Sequence, residues 1–109
     1  MPAPLSIIIP TLNAEAELPL CLESLMPGLE AGLIREVIVA DGGSEDATAR
    51  IAGAMGANLV TGARGRGAQL AAGAAAARGD WLLFLHADTA LSRDWAERTL
   101  DHIMTKPDH

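Results

Sequence analysis

The sequence predicts a three-layer α/β/α domain that is built on a parallel β-sheet. Apolar runs rich in β-branched residues alternate with helical stretches in the order β-α-β-α-β-α-β-α, which is typical of a parallel sheet with right-handed crossovers. Half of the 109 residues are hydrophobic, and only three are aromatic. A core made mostly of Ala, Leu, Ile and Val suits helices that pack closely on a parallel sheet.

The first strand and helix are marked by prolines. Leu5–Ile9 is a short β-branched run ended by Pro10, and it predicts a first strand that is buried on both faces. A loop follows, and Pro19 fits only the first turn of a helix because proline lacks an N–H. We expect this helix to run to about Met26 and to stop at Pro27-Gly28.

The second βα unit carries a turn between its strand and its helix. Glu36–Ala40 predicts the second strand, and Asp41–Ser44 is the turn after it. The next helix is expected over about Glu45–Met55, with Ser44 as its N-cap. Asn58–Thr61 predicts a weak third strand.

The rest of the chain predicts two more helices and a fourth strand. Gly62–Gly67 is a loop of Gly and Arg, and Ala68–Arg78 is an Ala-rich helix closed by Gly79. Trp81–Leu85 is an apolar run that predicts the fourth strand. Ser92 is expected to cap a last amphipathic helix.

Charge and composition exclude several classes of protein. The formal net charge is −6 without a basic stripe, so binding to nucleic acid is not expected. The single cysteine, Cys21, cannot build a disulfide framework or a Cys-based zinc site. Met1–Pro10 lacks the basic start of a signal peptide, and no apolar run is long enough to span a bilayer. We therefore expect a cytoplasmic protein without a membrane span.

Polar residues follow three of the predicted strands, and the carboxyl ends of parallel strands meet at one edge of the sheet. After the first strand come Thr11 and Asn13, after the second Asp41, and after the fourth His86 and Asp88. Each also has an ordinary structural reading, as a helix cap or a turn former. Three such clusters at one edge favour a ligand site.

The chemistry of these residues suits a phosphorylated ligand. Asp88 can hold a hard cation such as Mg²⁺ or Mn²⁺ against a phosphate. Asp41 can accept a hydrogen bond from a base or ribose, and Gly42-Gly43 lets a ligand approach the backbone. Arg64 and Arg66 can reach diphosphate oxygens, or they are solvated residues of a flexible loop.

Two other phosphate-binding patterns are absent. The dinucleotide fingerprint needs G-x-G-x-x-G directly after the first strand, where this chain has Pro10 to Asn13. A P-loop needs a Gly-Lys-Ser/Thr ending, and the only lysine is Lys106. A nucleotidyltransferase would place a Gly-rich loop with Arg and Lys after the first strand, which this chain lacks.

The order and spacing of these segments resemble the N-terminal half of a glycosyltransferase family 2 enzyme with the GT-A fold. The matching segments are Ser6–Glu15, Glu36–Thr48 and Phe84–Thr89. One bacterial subgroup, the radical-SAM/selenodomain-associated glycosyltransferases, is similar in the sequences of two segments, Gly65–Gln69 and Leu85–Thr89.

The resemblance implies an inverting transfer from a nucleotide-diphospho-sugar, with Mn²⁺ or Mg²⁺ as cofactor. Matched residue by residue, it places these side chains at the nucleotide: Pro10, Thr11, Asn13, Glu15, Asp41, Arg66 and Gln69. Asp41 would contact the base, usually uracil or guanine. Asp88 matches the last acid of the family's Asp-x-Asp motif and would bind the metal. His86 replaces the first Asp, and would either ligate Mn²⁺ or hydrogen-bond the ribose.

The family's general base is not found in this chain. No segment after Thr89 resembles the half that carries it, and Asp94, Glu97 and Asp101 read as a solvated helix face. We therefore expect residues 1–109 to form one nucleotide-sugar-binding domain, either in a transferase or in a truncated donor-binding or assembly protein.

The expected sheet order is 3-2-1-4. It leaves Trp81–Leu85 as an apolar edge strand, so we expect either self-association through this edge or a cut-down form of a longer protein.

Overall fold

The computed structural model describes residues 3–89 together with Leu91, Trp95, Arg98 and Thr99. The strands are β1 (Leu5–Thr11), β2 (Ile34–Asp41), β3 (Asn58–Thr61) and β4 (Trp81–Phe84), and the helices are α1 (Leu18–Glu23), α2 (Met26–Glu30), α3 (Thr48–Ala54) and α4 (Arg66–Ala76). All strand pairs are parallel and their order is β3-β2-β1-β4. The predicted fold class and strand order are thus confirmed. Most of the helix predicted from Ser92 onward lies outside the described residues.

Strand β1 lies at the centre of the sheet. Ile8 is opposite Ile38 of β2 and Phe84 of β4, and Ile7, Ile8 and Ile9 are all 0% exposed. Because successive side chains of a strand point to opposite faces, this β-branched run must be covered on both sides. The prediction of a strand buried on both faces is confirmed.

The main core lies between one face of the sheet and helices α1, α2 and α3. Every second residue of β1, from Leu5 to Ile9, contributes to it. The other members of this cluster are Leu18, Cys21, Leu22, Leu25, Leu33, Ile34, Val39, Ala52, Leu85 and Trp95. Burying each large aliphatic side chain contributes about 1.5–3 kcal/mol relative to leaving it exposed.

Helix α4 covers the opposite face, and its Ala-rich sequence allows it to lie very close to β1. A Cβ atom on Gly73 would lie 2.4 Å from Cγ2 of Ile8, so the helix backbone packs directly on the Ile8 side chain at this point. The sequence predicted such a thin helix, but it begins at Arg66 and not at Ala68.

Strand β1 passes through Pro10 and ends at Thr11, two residues later than the sequence predicted. The amide N–H of Leu85 donates to the carbonyl of Ile8, so the even-numbered residues of β1 present their backbone groups to β4. Pro10 lies beyond the last β1–β4 pair, at Phe84. Its missing N–H therefore removes no bond from the sheet, and the strand continues.

Pro27-Gly28 does not end helical structure as predicted. It lies inside α2, whose first turn contains Pro27. Proline suits this place, because the first turn of a helix has no internal partner for its N–H groups. Helix α2 ends at Glu30, and Gly32 follows with a φ of 72°. Strand β2 begins at Ile34, two residues earlier than predicted.

Helix α3 begins at Thr48, later than the predicted Glu45, and Ser44 is not its N-cap. The carboxylate of Asp46 accepts hydrogen bonds from the amide N–H and from the hydroxyl of Thr48. Asp46 therefore provides the hydrogen-bond acceptor at the start of the helix. Ser44 takes part instead in a turn further upstream.

A polar cluster ties the amino-terminal edge of the sheet together. The Ser6 hydroxyl donates to Oε2 of Glu36 at 2.6 Å, and the amide N–H of Gly79 donates to Ser6 Oγ at 2.8 Å. The amide N–H of Arg78 donates to the same Glu36 oxygen at 2.6 Å. Burial disfavours the Glu36 carboxylate, but these hydrogen bonds and the nearby arginines hold its pKa below the ordinary value.

No helix within the described part of the chain is long and apolar enough to cross a membrane.

Candidate functional site

The predicted site residues gather at the carboxyl-terminal edge of the sheet. Thr11 and Asp41 are opposite one another at the ends of β1 and β2. On the far side of β1, the chain leaves β4 and reaches His86, whose ring contacts Arg66 at the start of α4. The topology therefore brings three strand ends and one helix start to a single edge.

Asp41 is the centre of the hydrogen bonding at this edge. Its Oδ1 accepts from the hydroxyls of Thr11 at 2.7 Å and Ser44 at 2.5 Å. Its Oδ2 accepts from the amide N–H groups of Gly43 at 3.1 Å and Ser44 at 2.8 Å. Asp41 is only 3% exposed. A carboxylate has about four acceptor positions, and the chain itself fills all four.

The charge of Asp41 is stabilised by these donors. Burial raises the energy of the ionised form, but the hydrogen bonds from Ser44, Thr11 and Gly43 outweigh it and hold the pKa below the ordinary value. In this structure Asp41 fixes the turn after β2. Its predicted contact with a nucleotide base requires the base to replace one of the present donors, and that contact stays a prediction.

Two loops are joined across the edge by Asn13 and Ser44. The amide N–H of Asn13 donates to Ser44 Oγ, and the amide N–H of Glu45 donates to Asn13 Oδ1, both at 2.8 Å. Asn13 has a φ of 52°, in the left-handed region that asparagine tolerates better than most residues. Its amide side chain thus holds the loop after β1 against the loop after β2.

Further along, Glu15 takes part in the same connection. Its amide N–H donates to Asp46 Oδ2 at 3.1 Å, and its carboxylate accepts from the amide N–H of Ala47 at 3.4 Å. The Thr48 hydroxyl accepts from the amide N–H of Ala14 at 2.8 Å. The hydrogen bond from the Thr48 hydroxyl is the main reason why the pKa of Asp46 is lowered. The sequence analysis missed this role of Asp46 and Thr48; their two-residue spacing after a strand turn was the available signal.

Gln69 is buried beneath the two strand ends, at 7% exposure. Its Nε2 donates to the carbonyls of Thr11 at 2.8 Å and Ala40 at 2.9 Å, and its Oε1 accepts from the amide N–H of Gly65 at 3.1 Å. Both amide hydrogens are therefore used by the backbone. The predicted place of Gln69 near the nucleotide remains untested, and its geometry supports a role in shaping the pocket.

Arg66 and His86 form the other side of the edge. Nη2 of Arg66 lies 3.1 Å from Nδ1 of His86. Because a guanidinium can only donate, Nδ1 must accept, and the neutral ring carries its proton on Nε2. A cleft of about 130 Å³ lies beside this pair, lined by Pro10, Arg66, Leu70, Phe84, Leu85 and His86.

The remaining predicted residues are open to solvent. Asp88 and Arg64 are exposed, and a bond from the amide N–H of Thr89 to the carbonyl of His86 closes the turn that carries Asp88. Among the residues that the structure describes, no three His, Cys, Asp or Glu side chains lie together as a metal site. Burial and the charge of Asp88 raise the pKa of the Cys21 thiol to about 11, which keeps this buried thiol in its neutral form at neutral pH.

Asp88, as a single exposed carboxylate, suits a Mg²⁺ or Mn²⁺ site in which the ligand supplies most of the other oxygens. These ions are commonly held by one or two carboxylates together with substrate phosphates, and they keep several waters. Asp88 fits such a site only if a phosphorylated ligand supplies further oxygens.

The sequence profile of glycosyl transferase family 2 matches residues 6–109. The chain belongs to glycosyltransferase family 2. A relative from Mycobacterium bovis BCG, a "PGL/p-HBAD biosynthesis glycosyltransferase", is 41% identical over 105 residues, which cover 84% of this chain and 38% of the relative. A glucosyl-3-phosphoglycerate synthase of Mycobacterium tuberculosis is 36% identical over 93 residues, which cover 77% of this chain and 28% of that protein.

Solved structures agree with the fold. The crystal structure of the M. tuberculosis glucosyl-3-phosphoglycerate synthase with Mn²⁺, uridine diphosphate and glucosyl-3-phosphoglycerate superimposes with a TM-score of 0.80 and 30% identity, over 94% of this chain and 40% of that one. Staphylococcus aureus TarS 1–349 gives a TM-score of 0.79 at 24% identity, over 95% and 33% of the two chains. The fold is that of the GT-A glycosyltransferases. The chain spans well under half the length of these relatives.

Proposed function

We propose that this chain is the donor-binding part of a metal-dependent, inverting glycosyltransferase that uses a nucleotide-diphospho-sugar, with a uridine diphosphate sugar as the first candidate. The convergence of Asp41, Arg66, His86 and Asp88 at one edge of the sheet supports this function. The related synthase with bound Mn²⁺ and UDP supports the choice of nucleotide and metal.

Each residue of the edge has a separate task in this proposal. Asp41 faces the base, Arg66 supplies positive charge for the diphosphate, and His86 offers its Nε2–H as a hydrogen-bond donor to the ribose or phosphate. Asp88 holds the divalent cation, which stabilises the charge of the departing nucleoside diphosphate when it is bound. We assign none of the described residues to the acceptor site or to the role of general base.

Three finer features belong to the same proposal. The Gly65–Gln69 segment supports the radical-SAM/selenodomain-associated subgroup. The single cysteine is buried and free, which supports a reducing compartment, and we place the protein in the cytoplasm. The alternative function is donor binding or assembly without transfer.

Calorimetric titration of the purified chain with UDP, GDP and their common sugar conjugates tests the proposal. Each titration is run once with Mn²⁺ and once with EDTA. We expect one nucleotide to bind, and to bind more tightly with Mn²⁺. If none of these ligands binds under either condition, the chain does not form a donor site.

Replacing Asp88 by asparagine should weaken Mn²⁺-dependent binding of the donor about tenfold or more, because an amide is a poor ligand for a hard cation. Binding in EDTA and the far-UV circular dichroism spectrum should stay unchanged. Asp80→Asn is the matched control, since Asp80 is also exposed and directly precedes β4. Equal metal dependence in wild type and Asp88→Asn would refute the assignment of Asp88.

We further propose self-association through β4. Within the described residues β4 has a neighbour on one side only. Leu82 and Phe84 lie on the same face of the sheet as Ile8, which α4 covers, but they remain 41% and 49% exposed. Sedimentation at rising concentration should show a dimer that Leu82→Lys abolishes, whereas Leu20→Lys, at a 65% exposed residue of α1, leaves it intact. A wild-type monomer at high concentration would contradict this expectation.

A further inference from the structure

We propose that Gln69 is a positioning residue that sets the distance between the two halves of the donor pocket. One half consists of the ends of β1 and β2 with Asp41, and the other is the start of α4 with Arg66. This inference rests on the proposed function, because it concerns how that same edge of the sheet binds a nucleotide diphosphate.

The side chain of Gln69 contacts three backbone segments at once. Its two donated hydrogen bonds end on the carbonyl of Thr11 and on the carbonyl of Ala40, the residue that directly precedes Asp41. Its oxygen holds the amide N–H of Gly65, the residue that directly precedes Arg66. The ends of β1 and β2 are already joined to each other, since the amide N–H of Gly42 donates to the carbonyl of Thr11. The Gln69 amide adds a direct link between these paired strand ends and the start of α4.

A second observation comes from Gly42. A Cβ atom there would lie 3.0 Å from both Cδ and Oε1 of Gln69, and 3.3 Å from Cα of Arg64. The backbone of Gly42 does not have a positive φ, so its conformation does not require glycine. An alanine side chain at this position would contact the Gln69 amide tightly, so the amide would have to shift by a few tenths of an ångström relative to its partners.

The arrangement has a consequence for binding. A nucleotide diphosphate that reaches from Asp41 to Arg66 must fit a separation that the protein sets before the ligand arrives. Holding both halves in place lowers the ordering cost of binding, which improves affinity without any new contact to the ligand. Loss of the Gln69 amide should therefore weaken binding even while the chain remains folded.

The test compares Gln69→Leu with Ser6→Ala. Leucine keeps much of the volume of glutamine but makes no hydrogen bond. Ser6 is also buried in the sheet and hydrogen-bonded, but at the opposite edge. Both variants should melt at a lower temperature than wild type. Below the melting transition, Gln69→Leu should raise the Kd for UDP with Mn²⁺ about tenfold, while Ser6→Ala leaves the Kd unchanged.

Gly42→Ala supplies an independent variant. By displacing the Gln69 amide it should raise the Kd as Gln69→Leu does. In a chain that already carries Gln69→Ala it should have a smaller further effect, because its closest contacts are gone and only the one to Cα of Arg64, at 3.3 Å, remains. Such non-additivity is expected for residues that act through one contact. Unchanged UDP affinity in folded Gln69→Leu, or full additivity of the two changes, would overturn the proposal.

Hydrogen exchange separates this inference from the proposed function. Gln69→Leu should speed exchange of the Gly65 amide hydrogen by more than Ser6→Ala does, whether or not a nucleotide binds. If wild type binds no nucleotide while Gly65 is protected through Gln69, the donor site is refuted and only the structural link remains. If exchange at Gly65 is the same in both variants, the positioning role itself is wrong.

Discussion

Replacing Asp41 by alanine is expected to lower the free energy of unfolding by about 3–5 kcal/mol, because hydrogen bonds to a charged group contribute about 1.5–3 kcal/mol each and are not additive. The variant loses four accepted hydrogen bonds at once. The Thr11 hydroxyl, which is buried, and the amide groups of Gly43 and Ser44 lose their partner. Urea unfolding at neutral pH measures the loss.

The pH dependence gives this prediction a definite sign. The pKa of Asp41 is lower in the folded protein than its ordinary value, so its contribution to stability is present above the ordinary value, about 4. The contribution is lost as the pH falls through the lower, folded value. Asp41→Asn should therefore lose less free energy of unfolding than wild type does when the pH is lowered through this range. The comparison uses the difference from wild type, because Glu36 and Asp46 shift in the same direction.

The control for Asp41 is Asp80→Ala, since Asp80 is exposed and its replacement should change stability by less than about 0.5 kcal/mol. Nucleotide titration of the folded variants then separates two roles. Weaker binding of UDP both with and without metal would support a contact between Asp41 and the base. A destabilised Asp41→Asn that binds UDP as wild type does would mean that Asp41 serves only the turn.

The sheet could be predicted from the sequence because each of its strands is a local pattern. A continuous β-branched run such as Leu5–Ile9 indicates a strand buried on both sides, and alternation with helices determines parallel pairing. The errors arose where a local rule depends on distant neighbours. Pro10 was taken as the end of β1, because the sequence does not show that β4 has already ended beside it.

The sequence placed the candidate site residues at one edge of the sheet, where the structure brings them together, but it did not show their hydrogen-bond partners. Strand ends are visible in the sequence, so Asp41, His86 and Asp88 could be placed at one edge. The partners of Ser44 and Gln69 lie up to 58 residues away along the chain, and no local pattern reveals such contacts. The predicted place of Gln69 near the nucleotide stays a prediction, and the structure adds that its amide is bonded to the backbone of three segments.

Helix α4 links the packing of the sheet to this site, and Gly73→Leu tests that link. A Cβ atom at Gly73 would already be 2.4 Å from Cγ2 of Ile8, far inside ordinary carbon–carbon contact of about 3.5–4.0 Å. Ile8 is fully buried in the central strand and cannot move aside without disturbing both neighbouring strands.

We therefore expect Gly73→Leu to move α4 away from the sheet, with a net loss of about 3 kcal/mol after the gain of about 1 kcal/mol from removing a helix-interior glycine. Ala71→Leu is the matched control, because Ala71 is exposed on the same helix and should change stability little. Gln69 precedes Gly73 by one helical turn, so the displacement should also break its hydrogen bonds and weaken UDP binding. If Gly73→Leu were as stable as Ala71→Leu and bound UDP as well, the close contact between α4 and Ile8 would be wrong, and with it the packing that holds Gln69 under the strand ends.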